Sequence, residues 1–390
     1  MTAETTTENL LHRELLARVA DEGGMTFADY MAQALYHPRY GYYMTNQARI
    51  GKEGDFYTSS NVHSLFGGLI ARQLHQMWQL LGEEEFTIAE QGPGEAYLSS
   101  DILDALAEQF PDCYARIRYR LVEHSELARD RQKERLARHL TRVDWCSLDD
   151  LAGMQGCFLS NELIDAFPVH LIEMGEKGPQ EVYVVAQDGQ LSEELRPPST
   201  PEIERYFRWL GVWPAVGNRA EVNLSGVDWM RRIGDLLRRG FVLTIDYGYP
   251  ANELYAPWRR EGTLLCYHRH QTNENPYQHV GRQDITAHID FTALEKSGLD
   301  VGLETLFLGE QYRFLMGLGF VEALIELQAK TDDPQEAQAL RLTLKNLILP
   351  DSGMGGTFKV LIQGKGVSDA KLLCQRQMNE LPLPGEGVFP

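Results

Sequence analysis

The feature that most constrains this chain is Thr87-Ile88-Ala89-Glu90-Gln91-Gly92-Pro93-Gly94-Glu95, an apolar run that ends in an acid and then a glycine turn. Residues 96–106 follow with apolar side chains at helical spacing, so the pattern is strand, glycine turn, helix. Glycines let a backbone come close to a ligand. A second run, Arg118-Tyr119-Arg120-Leu121-Val122-Glu123, also ends in an acid, where a nucleoside-binding half places a carboxylate for ribose hydroxyls. Glu90, Gly92, Gly94 and Glu123 are therefore candidate cofactor residues.

Spacing separates the nucleotide chemistries that use such a turn. A phosphate-cradling loop needs Gly-Lys-Ser/Thr, and none follows Gly94. A dinucleotide fingerprint needs a third glycine where Tyr97 stands, and that side chain would obstruct a pyrophosphate. Two acids and a glycine turn suit a ligand with ribose hydroxyls and an ammonium but no phosphate, which describes S-adenosylmethionine. At this point an ordinary tight turn remains the alternative.

The charge narrows the partner. A formal net charge of -19 opposes a phosphate backbone, because nucleic-acid affinity comes from Lys and Arg neutralising phosphates. A protein substrate with a cationic side chain fits better, with no nucleic acid and no membrane as partner. Five cysteines, Cys113, Cys146, Cys157, Cys266 and Cys374, form no CxxC pair, which argues for reduced thiols and a cytosolic protein. Met1 to Asn9 reads as neither signal nor transit peptide, and no apolar run approaches a membrane span.

Residues 1–84 read as an N-terminal helical and lid region. Helices are expected over Leu10 to Val19 and Leu65 to Leu81, around an irregular aromatic stretch from Phe27 to Tyr43 and Gly54 to Ser59. Tyr40, Tyr42 and Tyr43 are expected in the lid. Residues 85–380 alternate strand and helix as a doubly wound, mostly parallel sheet requires, with a β-rich insertion at about 170–227. Within it, Gly156 to Ser160 reads as a strand, Glu181 to Val185 as another, and Gln187-Asp188-Gly189-Gln190 as a hairpin turn. A helix is expected over Asp228 to Arg239 before the strand Phe241 to Ile245. Thr263 to Tyr267 and Phe358 to Ile362 read as final strands with a helical segment, Tyr312 to Lys330, between them. Residues 381–390 read as an irregular tail.

Ligands of open parallel sheets bind beyond the carboxyl ends of the strands. There the sequence places an acidic rim: Glu90, Glu123, Asn161, Glu162, Asp165, Asp246 and Tyr247. The plainer alternative is that Asn161 and Asp165 cap a following helix. His268 and His270, or His288 and Asp290, share a strand face as metal ligands would, but no third ligand has a recognisable spacing, so no metal is expected. His288 is a candidate proton acceptor.

The runs Phe27 to Tyr43, Gly54-Asp55-Phe56-Tyr57-Thr58-Ser59, Gly92-Pro93-Gly94, Val122-Glu123, Asn161-Glu162-x-x-Asp165-Ala166-x-Pro168-Val169, Ile245-Asp246-Tyr247-Gly248 and Asp284 to Phe291 occur in one order. In that order the chain resembles the MidA-like methyltransferase family from Phe27 to about Leu361. The resemblance implies an S-adenosylmethionine-dependent, class I, Rossmann-like α/β fold with a seven-stranded sheet, and protein arginine methylation as the activity. It implies that Gly92, Gly94 and Glu123 hold the cofactor, that Asp55, Thr58 and Ser59 close over it, and that Asn161, Glu162 and Asp165 face the acceptor. Two positions depart from the family pattern. Glu95-Ala96 stands where the family has Arg-Gly, and Ser60-Asn61 where it has Pro-Glu. A methyltransferase fold that serves assembly without turnover, or a small-molecule methyltransferase, are the other readings.

Overall fold

Ile88, Ala89, Cys157, Phe158, Leu159 and the run Phe241–Ile245 are all buried, which is what parallel strands covered on both faces demand. In the computed structural model these runs form the centre of an eight-stranded mixed sheet. The structure describes residues 9–45, 63–269, 271–329, 354–367 and 369–376, with scattered positions between 335 and 349. Seven strands lie on one path: β1 (Phe86–Gln91), β2 (Ile117–Val122), β3 (Val143–Cys146), β4 (Met154–Asn161), β5 (Leu237–Tyr249), β6 (Glu304–Glu310) and β7 (Phe358–Lys365). Their spatial order is β6-β7-β5-β4-β1-β2-β3. Strands β1 to β5 are parallel, and β7 runs antiparallel to both β5 and β6. The eighth strand, Ile289–Asp290, pairs with the last residues of β5. The α/β class is thus as expected, with one strand beyond the seven.

By contacts the chain divides into two units, one comprising Thr58–Leu163, Met230–Tyr247 and Glu295–Pro390, the other Met1–Tyr57, Ile164–Trp229 and Gly248–Leu294. The first contains the seven-strand path. Helices α1 (Leu65–Leu80), α2 (Tyr97–Gln109) and α3 (Glu126–Arg135) belong to it. Helix α1 contributes Phe66, Leu69, Ile70, Leu74, Met77 and Trp78 to the same core as Ile88, Leu159 and Leu243.

In the second unit, Met25–Thr26, His170–Gly175, Gly178–Gln187, Gln190–Arg196 and Arg219–Val222 form an antiparallel sheet. The hairpin at Asp188-Gly189 is where the sequence places it, with φ of 51° and 76° as a primed turn requires. Leu10–Glu22 is a helix capped by Asn9, whose side chain accepts from His12 N, and it ends at the left-handed Gly23.

Four expectations need correction. Phe27–Tyr36 is a helix and not irregular. Its buried Phe27, Tyr30, Met31, Ala34 and Leu35 have the i, i+3, i+4, i+7, i+8 spacing of one helical face, and Thr26 caps it by accepting from Asp29 N at 3.1 Å. The strand beside β7 is Glu304–Glu310, whereas Leu265–His268 lies in a separate three-stranded sheet with Gln271–Asn273 and Asp284–Thr286. The edge strand β6 is only half-buried, so its sequence carries little strand signal. The helix expected to Arg239 ends at Leu236, because β5 starts early through a bulge between Leu237 and Arg239. Finally, the helical segment after residue 311 is two helices, Gln311–Gly317 and Phe320–Ala329, separated at Gly319, whose φ is 88°.

The backbones of β1, β4 and β5 meet across Thr87, Gly156 and Gly240, which are aligned in register. A Cβ on Gly156 would stand 1.9 Å from Thr87 O, and one on Gly240 2.0 Å from Gly156 O. Both glycines also have φ values, 149° and 141°, that side chains rarely adopt. At the other end of β1, Glu90 is buried, and its Oε2 accepts hydrogen bonds of 2.6 Å from both Ser99 on α2 and Tyr119 on β2. Burial raises the Glu90 carboxyl pKa, and the two hydroxyls oppose that shift.

Two tests follow from this packing. Gly156→Ala and Gly240→Ala should each destabilise the fold by about 3 kcal/mol or more, read as a lower urea midpoint; unchanged midpoints would mean the strands can separate freely. Because the folded pKa of Glu90 is raised, its contribution to stability is complete below the unfolded carboxyl pKa of about 4.3 and is lost as pH rises through the folded value. Glu90→Gln keeps an acceptor for both hydroxyls and removes the titration. Wild-type midpoints should therefore fall with rising pH relative to the variant, and parallel profiles would remove Glu90 as the cause.

Candidate cofactor and acceptor site

Strand order reverses between β1 and β4, and in open parallel sheets that reversal is where ligands bind, beyond the carboxyl ends. The turn after β1 lies there. Gly92 and Gly94 have φ of 69° and 53°, Gly92 N donates to Val122 O at 3.2 Å, and Ala96 N closes the turn on Pro93 O at 2.8 Å. A Cβ on Gly92 would come within 2.8 Å of Leu163 Cδ1, a side-chain end that can turn aside, so it is the positive φ more than the space that favours glycine here. Ala96 opens α2 in a left-handed conformation, φ 58°, that glycine would adopt without strain.

Glu123, just past β2, is held from both sides. Its Oε1 accepts from Ser125 N at 2.8 Å and its Oε2 from Gln132 Nε2 at 3.1 Å, which leaves lone pairs on each oxygen for hydroxyls of a ligand. Arg129 Nε donates to the Glu123 carbonyl at 2.9 Å. Glu95 is paired with Arg131, whose Nε lies 2.9 Å from each carboxylate oxygen. The anion in the turn is thus neutralised by a cation from α3. Sequence reasoning passed over α3 because charged residues dominate it. The available signal was Gln132, a polar residue one turn beyond Ala128 on the buried side.

Asn161 ends β4, and its Nδ2 donates to Glu162 Oε1 at 3.1 Å. Its Oδ1 is buried with no hydrogen-bond partner among the described residues. Glu162 takes φ of 52°, and its N donates to Ile245 O at 2.9 Å. No helix follows among residues 162–169, so the alternative of simple helix caps does not hold. Asp246 is fully buried and accepts from Tyr247 N, so it is no part of an exposed rim.

The other unit carries Asp165 and His288. Asp165 is 5% exposed, and its carbonyl accepts from Ala287 N at 3.0 Å. Nearby, Tyr43 OH lies 2.8 Å from both oxygens of the buried Asp284, while Tyr36 stacks on Tyr43 at 5.5 Å and donates to Ala166 O. Burial first, then the Asp284 carboxylate, the Tyr36 phenol and the Asp165 carboxylate, push the Tyr43 phenol well above its usual range. His288 N donates to Thr263 Oγ1 at 3.0 Å, and its ring lies 5.4 Å from that of Tyr249. Of the tyrosines expected in a lid, Tyr42 is fully buried in the core of this unit. Asp55, Thr58, Ser59 and His270 lie outside the described residues. Among the described residues no group of three His, Cys, Asp or Glu side chains is placed to hold a metal, and no helix is long and apolar enough to cross a membrane.

Residues 69–308 match the profile of a family described as S-adenosyl-L-methionine-dependent methyltransferase. A protein from Burkholderia thailandensis crystallised with S-adenosyl-homocysteine is 31% identical and superposes with a TM-score of 0.83, over 93% of this chain and 94% of that one. The mitochondrial protein arginine methyltransferase NDUFAF7 of Bos taurus is 29% identical over 92% of this chain and 84% of its own length. Its homolog in Caenorhabditis elegans is 28% identical over 89% of this chain and 84% of its own length. These relatives overturn the cytosolic placement, since both are mitochondrial by name. The five cysteines are free and buried, and that state chooses no compartment. With a profile match over more than half its length, a structural relative that shares the fold almost end to end, and a glycine turn and acid at the strand reversal, this chain belongs to the S-adenosyl-L-methionine-dependent methyltransferase family.

Proposed function

We propose that this chain methylates a protein side chain, an arginine guanidinium, with the cofactor held by Gly92, Gly94 and Glu123 and with Glu90 supporting the turn from beneath. One observation carries the reading: a glycine turn with positive φ at Gly92 and Gly94 and an anchored carboxylate stand together where the strand order reverses. The arginine comes from the named activity of the cattle and nematode relatives. The seven-strand path serves as the doubly wound sheet of a class I enzyme, and Asp55, Thr58 and Ser59 serve as the closing segment that the resemblance implies.

S-adenosylmethionine supplies a methyl group already activated on a sulfonium. The protein is left mainly with alignment, which can remove on the order of 7–11 kcal/mol from a barrier. A guanidinium acceptor keeps its proton up to a pKa above about 12, so it needs carboxylates that orient it and offset its charge as that proton leaves. Glu162 is a carboxylate at the end of β4, and Asn161 Oδ1 beside it is an acceptor awaiting a donor. Asp165 and His288 take the acceptor-side roles that the resemblance and the chemistry of a departing proton suggest. The turn itself raises no objection to activity. Glu95, which replaces a family cation, is neutralised by Arg131, so a fold kept only for assembly is not favoured.

Calorimetric titration with S-adenosylmethionine, followed by transfer of labelled methyl groups to arginine-containing protein, tests the reading. Binding is expected, and Glu123→Ala should weaken it roughly tenfold to a hundredfold, the worth of about 1.5–3 kcal/mol in charge-assisted hydrogen bonds. Glu162→Gln should lower the transfer rate while leaving cofactor affinity nearly unchanged. Folded protein that binds no cofactor at millimolar concentration would sink the proposal, and label in nucleic acid or in small molecules alone would redirect it.

A further inference from the structure

Helix α3 buries only Ala128 and Gln132, and Gln132 has no exposed surface. Three of its four hydrogen-bonding directions are used, both donors among them. Its Nε2 donates to Gly94 O at 2.8 Å and to Glu123 Oε2 at 3.1 Å, and its Oε1 accepts from Trp145 Nε1 at 2.7 Å. Gly94 follows β1, Glu123 follows β2 and Trp145 lies in β3. A single buried amide therefore joins three neighbouring strand ends.

An apolar side chain of similar length would fill this space without the desolvation penalty that a primary amide brings, so the amide is explained by what it holds. A peptide group is planar, and fixing Gly94 O therefore fixes the direction of Glu95 N–H on its opposite side. Holding Glu123 Oε2, while Ser125 N holds Oε1, likewise fixes the plane of that carboxylate. The amide reaches both in one step.

We propose that Gln132 is a positioning residue for the cofactor, setting the spacing between the glycine turn and the ribose-side carboxylate of Glu123. The proposal rests on the cofactor reading above. Gln132 touches neither reacting atom, and its effect passes through Gly94 and Glu123. Glu123 is the charged group bonded to it, and around its partners stand Glu95 in the turn and Arg129, Arg131, Lys133 and Arg135 on α3.

Calorimetry with S-adenosyl-homocysteine at roughly pH 6 and about pH 8, alongside thermal melting, separates positioning from simple packing. Gln132→Met retains volume and loses every hydrogen bond. It should bind about tenfold more weakly or worse at both pH values, in protein that still melts cooperatively well above the assay temperature. Gln132→Glu sets a second carboxyl against Glu123 and removes both N–H donors. Its affinity should be poor at the higher pH and recover severalfold at the lower, where the two acids share a proton. Wild-type affinity in Gln132→Met overturns the positioning role and leaves the cofactor reading intact. So does a Gln132→Glu loss that is the same at both pH values. A wild-type protein that fails to bind overturns the cofactor reading and this inference with it.

Discussion

The carboxyl edge of the sheet depends on β1 lying flush between β2 and β4. At its start the backbone of β1 is approached so closely by Gly156 that no side chain fits between them, and Gly240 repeats the arrangement one strand further on. At its end Glu90 is tied to α2 and β2 by two short hydrogen bonds. Burying that carboxylate is unfavourable, and the Ser99 and Tyr119 hydroxyls offset the penalty. Strand β1 is thereby fixed at both ends. The glycine turn that follows inherits its position from a strand that cannot slide.

Electrostatics at the turn runs against the molecule as a whole. The chain carries a net charge of -19, yet α3 directs Arg129, Arg131 and Arg135 at the backbone and acids beside Gly92–Gly94. Arg135 Nε donates to Glu95 O at 2.7 Å, and its guanidinium lies 3.6 Å over the Tyr97 ring. The local field is therefore less negative than composition suggests, which suits a cofactor that itself bears a carboxylate. The acidic remainder suits a cationic acceptor. One chain can meet both needs because the cations sit on a single short helix.

What could be read in the sequence was local. The turn at Gly92–Gly94, the acid at Glu123 and the Asp188-Gly189 hairpin each declare themselves within a few residues, because glycine and alternation act at that range. The helix Phe27–Tyr36 was hidden because it runs into the aromatic stretch that continues to Tyr43 and reads with it as irregular, although its buried residues have helical spacing. Strand β6 was hidden because an edge strand need not be apolar. Placing Thr263–Tyr267 in the main sheet failed for a related reason: alternation shows that a segment is a strand and does not choose its partners. Gln132 was the hardest to see. Its partners lie 38, 9 and 13 residues away, so although its place one turn beyond Ala128 puts it on the buried side, that spacing does not say which strands it would join.

Backbone strain separates the functional edge from ordinary turns. Five residues other than glycine adopt positive φ among the described residues: Glu83, Ala96, Glu162, Asp188 and Arg269. Asp188 sits in a hairpin that asks for that conformation, and Glu83 follows a helix end at Gly82, so neither needs a further explanation. Ala96 and Glu162 are different. Ala96 closes the turn after β1 and Glu162 directly follows β4, each in a segment whose backbone is already bonded, Ala96 to Pro93 O and Glu162 to Ile245 O. A left-handed residue costs roughly 1–2 kcal/mol, and such strain persists only where the surroundings over-determine it. Here the surroundings are β1 with its turn and β4 beside β5, the same elements that the glycine line and Glu90 hold rigid. The rigidity that fixes the strands is thus what allows the edge to keep two strained residues in place, so the cofactor turn and the proposed acceptor carboxylate are set before any ligand arrives.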